Sequence, residues 1–393
     1  MTLAEIGITL ALVSVGAILY PIVFYPMMLL LVHAIARRPA VPAIPTDFPP
    51  ITVLVAAHNE ERVIEACLHA IEQSTYPHDK IHVLVGDDGS TDRTPEILRH
   101  YESSLASFQT RRFERCGKNG VVNALMLEVS TPFVILTDAD CRIFPDAFER
   151  LVSWMSDASV GCVIGRTDRS GGVQASDSAS RGEASYRGLE ASINAMESAI
   201  SSTVTSNGHL YAMRAELLRP IPDKRASDDF LLPLYSILAG KRTIVDNAAL
   251  VIEERTNSIQ QEMKRTIRTV SGGLASISCA RGLLLPTQGM VSWFMWSHRI
   301  LRWLMPWFII ALFVATCLTV QNTELFSVLF YTEFAFVFAA FVGHLAETTG
   351  VRIRPLQLIY FFVVMNVSLL AGMLRYLSGR QIDRWSPSSK GRS

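Results

Sequence analysis

The chain has no net charge of either sign. Its 36 Lys+Arg balance 36 Asp+Glu over 393 residues, which excludes a basic footprint for nucleic acid and a bias toward an acidic partner. Cysteine is sparse and scattered. The six stand at 67, 116, 141, 162, 279 and 317 with no C-x-x-C pair, which argues against structural zinc and fits a reducing compartment. Charge is also missing from whole stretches. Residues 6–32, 303–323 and 355–374 hold no Asp, Glu, Lys or Arg, and 325–346 holds one acid, Glu333. Each run approaches the ~20 residues a helix needs to cross a hydrocarbon core of ~30 Å. The first is too long for a signal-peptide core, contains Pro21 and Pro26 and lacks an obvious small-residue cleavage site. It reads as a retained anchor.

Between these ends, residues 44–275 have the composition of a soluble block. A proline-rich linker, RRPAVPAIPTDFPP, leads into it. Strand and helix patterns then alternate. ITVLVAA reads as a strand, and EERVIEACLHAIEQS carries an apolar stripe at 63, 64, 67, 68 and 71. IHVLVG is a second strand. STDRTPEILRHY follows as a helix, with Ser90, Thr91 and Asp92 available as caps. GKNGVVNALMLEV is a further helix and PFVILT a further strand. This alternation predicts an α/β fold with a mostly parallel sheet covered on both faces. Ligands of such sheets bind beyond the carboxyl ends of the strands. HNEE, DDGSTD and TDADC all fall there, which suggests a shared cleft.

Each motif alone has a plain structural reading. DDGSTD serves as a tight turn and helix cap, or Asp87 or Asp88 accepts from a base or ribose. In DAD, one carboxylate can ligate Mg2+ or Mn2+ and the other can meet a sugar or ribose hydroxyl. Such a cation would stabilise a departing diphosphate. In ASDDFLLP, Ser227 can cap a helix with Asp228 and Asp229 in its first turn, or a carboxylate there can act as general base. Lys264, Arg265 and Arg268 form a solvated or membrane-surface face or a diphosphate clamp, and Lys118 in GKNG is an ordinary surface lysine or part of such a clamp.

In order, VAAHNEERVIEACLHAI, VGDDGSTDRT, GKNGVVNAL, LTDADCRIFPDAFERLV and SDDFLLPLYSILAGKRTIVD resemble the membrane-bound family 2 glycosyltransferases. The match runs over residues 51–273 and the flanking apolar spans. The resemblance implies a GT-A type nucleotide-sugar-binding domain, and a hexosyl- or N-acetylhexosaminyltransferase. It implies Ala57, Glu60 and Asp88 on the nucleoside, Asp138 facing sugar or ribose, and Asp140 as ligand of Mg2+ or Mn2+. Asp229 is then the base of an inverting displacement, with Lys118, Arg265 and Arg268 on the donor side. The implied donor is a nucleotide-diphospho-sugar, a UDP-sugar foremost, and the acceptor a lipid or lipid-linked glycan. One motif departs from the family's pattern. Processive members carry Q-x-x-R-W and then Gly two residues on; here RTIRTVSG keeps Arg268 and Gly272 but has Arg265 for Gln and Thr269 for Trp. That argues against the alternative of a processive polysaccharide synthase. A non-catalytic scaffold is the remaining alternative, and the intact acidic motifs argue against it.

The expected organisation is an anchor at 1–38, a catalytic domain at 44–275, amphipathic interfacial helices at 276–302, spans at 303–378 and a basic tail at 379–393. Trp293, Trp296, Trp303 and Trp307 beside His298, Arg299 and Arg302 give the interfacial composition. Arg37 and Arg38 after the first span place the catalytic block on the cytoplasmic face of the cell (inner) membrane. Three C-terminal spans would leave the tail outside, yet Arg375, Arg380, Arg384, Lys390 and Arg392 favour inside. Donor specificity is expected around 165–208.

Overall fold

The structure is a computed structural model that describes residues 2–36, 41–104, 107–168, 178–205, 209–222, 225–253, 259–351 and 353–379. Arg37, Arg38, Arg380, Arg384, Lys390 and Arg392, on which the membrane orientation rested, lie outside them, as do parts of the 165–208 region.

The N-terminal run is helical throughout: α1 (Leu3–Leu19), a wider turn at Tyr20–Phe24, and α2 (Tyr25–Ile35). Pro21 sits in the wide turn, where a helix can absorb the missing N–H. The soluble block follows as β1 (Ile51–Ala57), α3 (Ile64–Glu72), β2 (Ile81–Asp87), α4 (Thr94–Ser104), β3 (Phe108–Arg112), α5 (Lys118–Met126), β4 (Phe133–Asp138) and β5 (Cys141–Ile143). Then come α6 (Ala147–Ser153), β6 (Val160–Asp168), α7 (Ser178–Ile200), β7 (Leu210–Arg214), α8 (Asp228–Leu238), β8 (Arg242–Glu253) and α9 (Ile259–Cys279). The last described elements are α10 (Met290–Phe294), α11 (Leu301–Thr319), α12 (Glu324–Thr348) and α13 (Arg354–Leu377).

Among the described residues, eight strands form one mixed sheet in the order β3-β2-β1-β4-β7-β6-β8-β5. β3, β2, β1 and β4 are mutually parallel, and β7 runs antiparallel to both β4 and β6. β1 is buried along its whole length because both faces are covered. Ile51, Val53, Val55 and Ala57 join a core with α3 and α6, through Ile64, Leu68 and Phe148. Leu54 and Ala56 point the other way, into a core with Val121 and Leu125 of α5 and Leu231 of α8. That second core also contains Tyr25, Leu29, Trp303 and Met373, so it continues into the apolar helices.

Among the described residues, four helical runs are long and apolar enough to cross a membrane: Leu3–Ile35, Met290–Thr319, Glu324–Thr348 and Arg354–Leu377. The second starts before the expected span at 303, because α10 and α11 join through a wide helical turn at Met295–Ile300. Part of the stretch read as interfacial is thus the foot of that helix. α9 links the two regions. A Cβ on its Gly273 would lie 2.4 Å from the Trp303 ring, and one on Gly372 of α13 would lie 2.8 Å from Val270.

Candidate active site

The parallel register aligns Ala57 with Asp87, so the turns after β1 and β2 leave the sheet side by side. Asn59 locks them together. Its backbone sits at φ 53°, a conformation Asn tolerates better than most residues. Its N–H donates to Ser90 Oγ at 2.9 Å, and its Oδ1 accepts from the Thr91 N–H at 2.7 Å. Asp92 takes the expected capping role at α4, accepting from Thr94 N at 2.9 Å. Ala57 and Glu60 are buried in this wall. Asp88 is fully buried, and its oxygens accept from the N–H groups of Cys116 (2.7 Å) and Gly117 (3.0 Å) and face Arg115 Nη1 at 3.0 Å. Its carboxylate therefore fixes the loop that enters α5.

That loop delivers Lys118. Gly117 precedes it with φ 85°, in the region that favours glycine. Lys118 Nζ lies 2.7 Å from Asp138 Oδ1 at the end of β4 and 3.1 Å from Asp228 Oδ2 at the start of α8. Burial works against the ammonium, but Asp138 and Asp228 outweigh it and hold the pKa of Lys118 above its usual value. Burial likewise opposes charge on Asp138, yet Lys118 and His209 hold its pKa far below the carboxylate range. Burial raises that of Asp228. The neighbouring Asp229 is half-buried and, among the described residues, its carboxylate has no hydrogen-bond or ion-pair partner. Ser227 stands at the N-cap of α8 without making the side-chain capping bond expected of it; its N–H donates instead to Ser276 Oγ of α9 at 3.0 Å.

Two residues in the cleft escaped the sequence reading. His209, just before β7, places Nδ1 3.0 Å from Asp138 Oδ2 and Nε2 3.1 Å from Glu253 Oε2. Glu253 ends β8 and lies 3.9 Å from Arg265 of α9. The acid-at-a-strand-end rule that found Asp138 would have found Glu253. His209 becomes visible only when β7 pairs with β4. Arg265 therefore reaches this cluster, whereas Arg268 is exposed and pairs with no described residue.

Asp138, Asp140, Cys141 and His209 each offer a donor atom, all within 4.8 Å of one another. Two carboxylates with an imidazole at that spacing fit a divalent cation. Burial pushes the Cys141 thiol up to about 11, which disfavours the thiolate.

The family "Glycosyl transferase family 2" matches residues 52–215, from β1 into the turn after β7. Glycosyltransferase AglE of Haloferax volcanii is 31% identical over 31% of this chain and 41% of its own length. A beta-monoglucosyldiacylglycerol synthase of Synechocystis is 30% identical over 30% of this chain and 25% of its own. The chain thus spans less than half the length of these relatives. Among solved structures, the mannosyltransferase PcManGT of Pyrobaculum calidifontis, in complex with GDP-Man and Mn2+, superposes with a TM-score of 0.72 at 22% identity. That likeness covers 97% of this chain and 100% of the other, and it extends the shared fold to the flanking helices. Residues 52–215 are thus similar to glycosyl transferase family 2, and the chain carries a GT-A type fold.

Proposed function

We propose that the chain moves one sugar from a nucleotide-diphospho-sugar to a lipid or lipid-linked glycan at the cytoplasmic face of the inner membrane. The observation that carries this reading is the convergence on Lys118. One side chain joins the DAD turn to the α8 start, which leaves the unpartnered Asp229 beside the acid cluster. In this reading Ala57 and Glu60 line the nucleoside wall, and Asp88 shapes it through the 115–117 loop. Asp138 turns toward the sugar or ribose, and Asp140 holds Mg2+ or Mn2+, with Arg265 and Arg268 near the phosphates. The bound cation supplies charge stabilisation to the leaving diphosphate. Asp229 takes the proton from the attacking acceptor hydroxyl, and a single in-line displacement inverts the anomeric carbon.

The lipid acceptor is supported by α9, which carries Arg265 beside the site and Gly273 against Trp303 at the foot of a candidate span. A hydroxyl presented at the membrane surface would meet the cleft along this helix. Single transfer is supported by Thr269, which is exposed where processive relatives carry Trp. The expected division at 1–38, 44–275, 276–302, 303–378 and 379–393 belongs to the same proposal.

The test is a screen of UDP- and GDP-sugars for nucleoside diphosphate release by the detergent-solubilised protein, followed by mass spectrometry of the lipid product. Asp229→Asn should lower turnover at least ~100-fold, the lower range for losing a positioned base, with donor affinity retained. Unchanged turnover would remove the base assignment. A long polymer would replace single transfer by processive synthesis.

A further inference from the structure

His209 is the one imidazole among the donor atoms clustered at the DAD turn. Its position is built rather than incidental. Antiparallel pairing sets Leu210 opposite Thr137, and Thr137 Oγ1 donates to the His209 carbonyl at 2.9 Å. The ring is thereby delivered to Asp138 with only 14% of its side chain exposed. Glu253 arrives from the opposite side, because the β5–β8 register sets it against Cys141. Its Oε2 holds Nε2 at 3.1 Å, which leaves Nδ1 aimed at the acids. A histidine that binds a metal characteristically gives its other nitrogen to a carboxylate, which fixes the ring and raises its basicity. Glu253–His209 has that arrangement, with the acid cluster where the cation would sit. A ring serving only to pin β7 to β8 would need no companion donors, yet three lie within 4.8 Å.

We propose that His209 is a nitrogen ligand of the divalent cation, oriented by Glu253, and that it makes the site select transition-metal ions over Mg2+. Mg2+ prefers an all-oxygen octahedral shell and keeps its waters, whereas a nitrogen donor favours Mn2+ and, further along the first-row affinity order, Co2+. The proposal rests on Asp140 as the carboxylate ligand and adds the ring that tunes the choice of ion.

The test uses the full-length protein in detergent micelles with MnCl2, CoCl2 or MgCl2 alone. Free Mn2+ is followed by electron paramagnetic resonance, and the 14N coupling of bound Mn2+ by pulsed measurement. The wild type should show 14N coupling and bind in the order Co2+, Mn2+, Mg2+. His209→Ala and His209→Lys should both lose the coupling and weaken Mn2+ by at least about tenfold, with Mg2+ nearly unchanged. Glu253→Gln should weaken Mn2+ about tenfold and keep the coupling. His209→Lys preserves a cation between Asp138 and Glu253, so wild-type Mn2+ affinity in that variant would overturn the proposal. Absence of 14N coupling in the wild type would overturn it without any variant. If Asp140→Asn abolishes Mn2+ binding while the His209 variants do not, the ligand role of His209 fails and the cation at Asp140 stands. If the wild type binds no Mn2+, both fall.

Discussion

Lys118 sits where the backbone of three segments would otherwise bring acids together without a counter-charge. Asp138 and Asp228 both face it, and Asp229 lies close by. Lys118→Met would leave those carboxylates facing one another in a half-buried cleft. Breaking a buried pair costs ~3–5 kcal/mol; with a quarter of the lysine side chain exposed, a loss of about 2–3 kcal/mol is expected. Thermal unfolding in detergent measures it. In a double-mutant cycle, Asp228→Asn should recover part of the loss, and strict additivity would show that the two do not interact. Much of this site was legible as text. Asp87, Asp88, Asp138 and Asp140 stand as adjacent or alternating acids after apolar runs, and Asp228 and Asp229 as a pair before one; the structure gathers the first four at strand ends. What stayed hidden was who meets whom. Lys118 read as a phosphate clamp, but its ammonium meets two acids. Asp88 read as a nucleoside contact, but its oxygens hold backbone N–H groups of the next loop. Such pairings depend on strand order, which no local spacing encodes.

The helices show a similar division between pattern and partner. Of the stripe at 63, 64, 67, 68 and 71, the last four are buried in α3, and the Asp92 cap of α4 and the first-turn acids of α8 lie where their residue types suggested. A buried polar junction between α7 and the foot of α11 was not foreseen. His298 places Nδ1 2.7 Å from Glu197 Oε1 and Nε2 2.9 Å from Glu190 Oε1, and Arg302 Nη1 lies 2.6 Å from Glu190 Oε2. Tyr25 of α2 donates its hydroxyl to the same Glu197 oxygen. Three separate segments thus meet on two acids, where an apolar junction alone would fix no register. Burial opposes charge on Glu190, but His298 and Arg302 hold its pKa well below the carboxylate range. Because the folded value lies below the unfolded one of about 4.3, this stabilisation is present above that pH and lost as pH falls through the folded value. Thermal stability in detergent should therefore decline as pH drops below about 4. Glu190→Gln should be less stable at neutral pH and show a shallower acid decline; an identical acid profile would exclude the junction as its source.

At the scale of the whole molecule, the sheet order places β1 inside the sheet and buries it on two faces, and one of its two cores continues into the membrane-length helices. Hydrophobic runs revealed those helices in the sequence, but not that their feet pack against the α/β block. The proposed orientation can be checked with the two exposed thiols, Cys116 on the loop before α5 and Cys317 on α11. In inside-out vesicles Cys116 should react with a membrane-impermeant maleimide, and in right-side-out vesicles it should be protected. Cys317, exposed on a helix long and apolar enough to cross a membrane, should resist the reagent in both until detergent is added. Cys116 reacting only in right-side-out vesicles would invert the orientation. The shared core has a further consequence, for modularity. The compositional boundary at 275 falls inside α9, and the side chains that close the core around Val270 include Trp303 and Met373 from beyond it. A chain cut there would lose part of its own wall, and the helix that carries Arg265 would lose its backing. The apolar helices are therefore not a tether for which any other anchor could be exchanged. Grafting this α/β block onto a foreign apolar helix would demand a new interior as well as a new attachment.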